Sequence, residues 1–165
     1  MAELTNLESK IGEVLGLAMA SQAATKKVEG LLGDEDPALT KVLQAMHQEA
    51  SETEERCTDV AGTFEGKKTA ILEQARETKT EAAEMMQAYL GGRDVDALDG
   101  FEFLTMTEAG EVGHWSIVKK FNERARIDEV EVLASWALPI QQRHFQNALD
   151  GSLDLAGEED PNAAE

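Results

Sequence analysis

Apolar residues recur at three- and four-residue intervals along most of the chain, the period of an α-helix that buries one face. Each periodic stretch is bounded by residues that start or stop helices. Thr5-Asn6-Leu7-Glu8 fits a capping box, in which the threonine hydroxyl and the glutamate side chain satisfy orphaned backbone donors. A helix with Leu7, Ile11, Val14, Leu15 and Ala18 inside then runs to about Leu32 and stops at Gly33. Asp36-Pro37 opens a second, a carboxylate at the cap and proline at the first helical position, which continues to Ala61 before Gly62. A third runs from near Glu65 to Leu90 before Gly91-Gly92, burying Ile71, Ala75, Thr78, Ala82, Met85 and Tyr89. A fourth spans Asp96 to about Arg126, and a fifth begins at Asp128, with Glu131 three residues on, and ends near Leu149 before Gly151. Pro139 lies inside the fifth and is expected to kink it, since it removes a backbone bond.

Long helices joined by short loops make antiparallel neighbours. The expected fold is therefore all-α, an up-and-down four-helix bundle with an additional fifth helix occupying residues 1–150. Residues 151–165 show no helical stripe and are expected to form an acidic, flexible tail. No strand pattern and no internal repeat is found.

Ionisable groups that fall on buried stripes are the informative ones. In the fourth helix the stripe is marked by Leu104, Trp115, Val118, Phe121 and Ala125; Glu111 sits within it, His114 one turn on, and Glu108 at its border. In the fifth the stripe is Val130, Leu133, Ala137, Ile140 and Ala148, with His144 at its centre and Gln141 three residues earlier. The second helix buries Leu43, Met46, Ala50, Thr53 and Cys57, flanked by Glu49 on one side and by His47 and Glu54 on the other. An ionised carboxylate in a core costs several kcal/mol unless a cation or strong donors compensate it. A helical Glu-x-x-His unit such as Glu111-Val112-Gly113-His114 sets a carboxylate and an imidazole side by side, able to share one metal ion. The same spacing also allows a plain Glu–His hydrogen bond. Gly110 and Gly113, each costing about 1 kcal/mol inside a helix, suggest the close approach of a neighbouring helix or a local bulge.

Charge narrows the field. With 33 Asp and Glu against 15 Lys and Arg the chain carries a formal charge of -18, which excludes a phosphate-neutralising nucleic-acid surface and disfavours anionic membranes. A divalent metal ion is the natural small partner. No run of apolar residues is long enough to span a bilayer, no basic region precedes an apolar stretch at the N-terminus, and a lone Cys57 makes no internal disulfide. A cytoplasmic location is the default expectation.

The matched helices, the stretch Thr107-Glu108-Ala109-Gly110-Glu111-Val112-Gly113-His114-Trp115 and the segment Leu138-Pro139-Ile140-Gln141-Gln142-Arg143-His144-Phe145 together resemble the ferritin-like superfamily, in its rubrerythrin-like and bacterial stress-protein branches. That resemblance implies iron, or manganese or zinc, inside the bundle, with ferroxidase, peroxide-reducing or oxygen-activating chemistry as an oxidoreductase, and often a homodimer. The metal ligands it implies are Glu111, His114 and His144, supported by Glu108, Glu49 and His47, with Glu8 a further carboxylate to make up the set. Only Glu111 and His114 match the ligand motif cleanly; Gln141 precedes His144 where a carboxylate is expected, and the first helix offers Gln22 in place of a central glutamate. The alternative reading is a non-catalytic helical bundle with a degenerate metal site, serving assembly or partner binding.

Overall fold

The computed structural model describes residues 2–163, which form five α-helices and, among the described residues, no strand. They are α1 (Asn6–Leu32), α2 (Pro37–Ala61), α3 (Lys68–Leu90), α4 (Ala97–Ala125) and α5 (Asp128–Glu158). None is long and apolar enough to cross a membrane.

The start signals act as the sequence predicts. Thr5 and Glu8 form a reciprocal capping box on α1, Asp36 accepts from the Ala38 and Leu39 amides ahead of α2, and Asp96 with Asp99 caps α4. Glu8 thus spends its carboxylate on the Thr5 amide at the helix end. Asn122 closes the α4–α5 corner through the amide and carbonyl of Ile127. It is Asn122 that is buried at that end, while the expected stripe residues Phe121 and Ala125 are exposed.

α1, α2, α5 and α4 pack in that order around a ring, each against the next. Cross-links such as Gln22 to Glu54 and Glu29 to Gln44 place α1 and α2 antiparallel, and Lys10 to His114 with Ser21 to Glu108 do the same for α1 and α4. α3 lies outside this ring. It runs along α1, parallel to it, and makes far fewer contacts with α4.

Two glycines on α1 permit that parallel contact. A Cβ on Gly16 would come 2.4 Å from the Ala75 carbonyl oxygen and 2.7 Å from Thr78 Cβ; one on Gly12 would meet Gln74 Cβ at 2.7 Å and the Ile71 oxygen at 2.9 Å. Burial along α3 is confined to its first half and its last residue, Leu90. Ala70, Ile71 and Ala75 are buried, while Thr78 and Ala82 are half-buried and Met85 and Tyr89, expected inside, are exposed. The apolar stripe is real, but α3 meets α4 only sparsely, near its end where Tyr89 packs on Phe103 and Leu90 is buried, and the stripe between is only partly covered.

The fifth helix also extends beyond its expected end. It continues through Gly151 to Glu158, so the first half of the expected tail is helical, and residues 164–165 of that tail lie outside the described residues. Gly151 is a packing residue: a Cβ there would strike the Phe101 ring at 2.4 Å. Gly151 and Ser152 are buried against α4, with Ser152 hydrogen-bonded to Thr105 across the pair. α5 remains helical through Pro139.

Two apolar clusters fill the bundle. One gathers around Ile11, Leu15, Ile71, Trp115 and Val118, the other around Val28, Leu43, Phe101 and Leu104. Between them, at mid-height, lies a layer of polar side chains.

Candidate functional site

The polar layer is set by helical spacing. On each ring helix the apolar stripe is interrupted near the middle, by Ser21 and Thr25 on α1, Thr53 on α2 with Glu49 half-buried at the stripe's edge, Glu108 and Glu111 on α4, and Gln141 and His144 on α5. Antiparallel packing brings these interruptions to one level.

Glu108 is its hub. It is fully buried, 0% exposed, and one oxygen accepts from the Ser21 hydroxyl at 3.1 Å while the other accepts from the Gln141 amide. His144, 2% exposed, lies between two carboxylates. Its Nε2 is 2.7 Å from Glu49 and its Nδ1 is 3.6 Å from Glu108. Burial alone pulls the imidazole's pKa down, but the neighbouring carboxylates of Glu108 and Glu49 outweigh it, so the pKa is raised and the imidazolium favoured. The free oxygen of Glu49 takes Arg143 at the surface.

Glu111 stands beside this network without joining it. It is 4% exposed, and no hydrogen bond reaches its carboxyl from the described residues. Burial first, and the neighbouring Glu108 second, push its pKa well above the ordinary carboxylate range. The protonated form, a hydrogen-bond donor, is therefore favoured. Cys57 is buried nearby, its thiol held protonated by burial and by Glu111 and Glu54.

The remaining candidates lie elsewhere. His114 is half-buried on α4 but turns its Nδ1 to Glu13, 3.1 Å away, and Lys10, 3.4 Å away. Burial and the Lys10 ammonium lower its pKa, with Glu13 partly offsetting them. His47 bonds through Nδ1 to the Gln22 carbonyl at 3.0 Å and to Thr25 at 3.3 Å. The structure thus brings Glu49, Glu108 and His144 together with Glu111 adjacent, and leaves His47 and His114 outside.

This arrangement does not fit the metal centre that the resemblance implies. Among the described residues no group of three or more His, Cys, Asp and Glu side chains is disposed to hold a metal ion. His144 hydrogen-bonds through Nε2 to Glu49 at 2.7 Å, while its Nδ1 stands 3.6 Å from Glu108, beyond hydrogen-bond reach. Glu108 already accepts from Ser21 and Gln141.

What the bundle offers is a cleft. Because α3 stays close to α1 but stands off α4, a cavity of about 270 Å³ opens among the three helices. Its floor is built from small residues of α1, among them Ala20, Ser21 and Ala24. Ala82, Met85 and Met86 form one wall, and Phe103, Met106 and Gly110 the other. Gly110 and Gly113 are not close-approach residues, since a Cβ on either would meet nothing within 4 Å. Gly110 instead leaves the cleft wall open. Glu111 and His114 line the cleft toward one end, on the same side as Lys79.

Ser21 and the cleft were not singled out from the sequence. Ser21 occupies a regular position in the stripe of α1, between Ala18 and Thr25, and that is its only signal. Lys79 carries none. Compared with known proteins, the chain matches no family model, no curated protein and no solved structure.

Proposed function

We propose that this chain is a non-catalytic binding bundle whose cleft between α3 and α4 takes a small apolar molecule. The observation that carries this reading is a largely apolar cavity of about 270 Å³ among α1, α3 and α4, with the Glu111 carboxyl one of the few polar groups on its wall. Ligand sites combine apolar walls with a few polar groups that fix orientation, and this volume lies just below the range of about 300–1,000 Å³ usual for small-molecule pockets. The occupant is accordingly small.

The ring of antiparallel helices with ligand-type residues at mid-height supports a ferritin-like architecture. The polar layer is then a degenerate metal layer. Gln141 stands where a carboxylate would serve, His144 is held through Nε2 by Glu49, and the layer's surplus of acid is handled by protons in place of a cation. These observations favour binding over iron, peroxide or oxygen chemistry.

The test is titration with the neutral apolar dye N-phenyl-1-naphthylamine, whose fluorescence rises in an apolar site. One saturable site is expected for the native chain and none for Gly110→Phe, which fills the cleft from an exposed helix position facing open space. Equal enhancement by both proteins, or none by the native chain, would sink the proposal.

A further inference from the structure

The outer face of α4, opposite the core, is unlike a solvated helix surface. Met106, Gly110, Gly113, Ile117 and Phe121 recur on it at three- and four-residue intervals, the spacing of a second apolar stripe. Met106 and Ile117 are each 41% exposed and Phe121 37%. Between residues 103 and 118 the exposed positions are Met106, Ala109, Gly110, Gly113, Ser116 and Ile117. None of them can ionise, in a chain of which 29% is charged. A Cβ on Gly110 or Gly113 would meet nothing within 4 Å, so the middle of the stripe is open to a neighbouring helix.

Charge returns at the two ends of the stripe, with opposite sign. Asp99 and Glu102 flank it at the start of α4, Lys120 and Arg124 at its end, all exposed and all on the stripe's side of the helix. Lys120 meets only the exposed Glu123, and Glu102 and Arg124 make no ion pair among the described residues. The two ends are related by reversal. Counted outward from a point between Glu111 and Val112, Gly110 answers Gly113, Met106 answers Ile117, Glu102 answers Phe121 beside Lys120, and Asp99 answers Arg124.

From this self-complementary pattern we propose that the outer face of α4 is the interface of a two-fold homodimer, in which α4 lies antiparallel on α4 of a second copy. A two-fold interface sets the same patch against itself, so each contact occurs twice. Met106 packs on the partner subunit's Ile117, Gly110 on the partner subunit's Gly113, and the small residues at the centre let the helix axes approach to about 8 Å. Glu102 reaches the partner subunit's Lys120, and Asp99 the partner subunit's Arg124. A parallel pairing would stack acid on acid and base on base. The interface is independent of the cleft, since Ile117, Lys120, Phe121 and Arg124 do not line it.

Sedimentation equilibrium of the full chain tests this at about 0.15 M salt, where repulsion between the two acidic copies is screened beyond about 8 Å. The native mass is expected to rise reversibly with concentration from 18.0 kDa toward twice that value. Ile117→Glu, which sets two carboxylates into the apolar centre, should remain at the mass of one chain, with its helicity by circular dichroism unchanged because the position is exposed. Glu102→Lys and Lys120→Glu alone should each weaken association about tenfold, since each replaces two symmetry-related ion pairs by like charges. The double variant Glu102→Lys/Lys120→Glu, which keeps the native net charge, should recover to within about threefold of native affinity. A native chain that stays monomeric at every concentration would overturn the proposal. So would an Ile117→Glu variant that associates as the native chain does, or a double variant as weak as its two parents.

Discussion

Gly16→Ala is the sharpest probe of how α3 is held, and hence of why the cleft exists. Alanine is favoured over glycine inside a helix by about 1 kcal/mol, so on α1 taken alone the change stabilises. In the folded chain its Cβ would lie 2.4 Å from the Ala75 carbonyl oxygen and 3.1 Å from the Ala75 carbonyl carbon. Both atoms belong to the α3 backbone, so no side-chain rotation relieves the clash. The helices must separate by about 1 Å, loosening the packing of Ile71 and Ala75 against Leu15; overpacking of this kind costs about 1–3 kcal/mol. With backbone atoms as the obstacle the upper end applies, and the net expectation is destabilisation by about 1–2 kcal/mol. Gly113→Ala is the matched control, because Gly113 is exposed on α4 and its Cβ would meet nothing within 4 Å. It should stabilise by up to about 1 kcal/mol. Urea denaturation of the three proteins, with equal m-values as the condition for comparison, reads the difference directly. If both substitutions raise the midpoint together, α1 and α3 do not make the close parallel contact described.

Glu108→Ala removes the acceptor shared by Ser21 and Gln141 and a carboxylate 3.6 Å from the His144 Nδ1. It should destabilise by about 2–4 kcal/mol and lower the His144 pKa followed by its NMR ring resonances; an unchanged titration would place His144 outside the network. Stability should fall as pH rises from mildly acidic values. Glu111 and His144 both have raised pKa values, so the folded chain holds protons that the unfolded chain releases above about 4.3 and about 6.5 respectively. Their contributions are complete below those unfolded values and are lost as pH climbs through the folded ones. His114, whose pKa is lowered, acts in the opposite direction near pH 6.5, so the comparison is made in His114→Gln, where higher stability at pH 8 than at pH 5.5 in urea melts would contradict this. Cys57, fully buried with its thiol pKa raised, should resist iodoacetamide in the native state and react on unfolding; rapid native labelling would show that the layer is open to solvent. In an anaerobic ferrous titration read by elemental analysis after desalting, the chain should retain no iron. Retention of one ion per chain, lost in Glu108→Ala, would restore the metal reading.

The sequence by itself determines the helices, because caps and breakers act locally. Thr5 with Glu8, Asp36 before Pro37 and Asp96 with Asp99 mark real starts, and the wheel correctly buries Glu111, Gln141 and His144. Periodicity states which face is apolar, and it cannot state what will cover that face. Met85 and Tyr89 continue a good stripe on α3, yet they are exposed because that half of the helix finds too little partner surface. Glycine is ambiguous for a related reason. Gly151 reads as a stop and proves to be a contact with Phe101, while Gly110 reads as a contact and proves to border a cleft. The Glu-x-x-His spacing of Glu111 and His114 says that two side chains share a helix face, but the neighbours that compete for them come from other helices. Tertiary packing gave His114 to Glu13, placed His144 between Glu49 and Glu108, and left Glu111 facing a cavity. Distances between helices, set by side-chain volumes far apart in the chain, decided those outcomes.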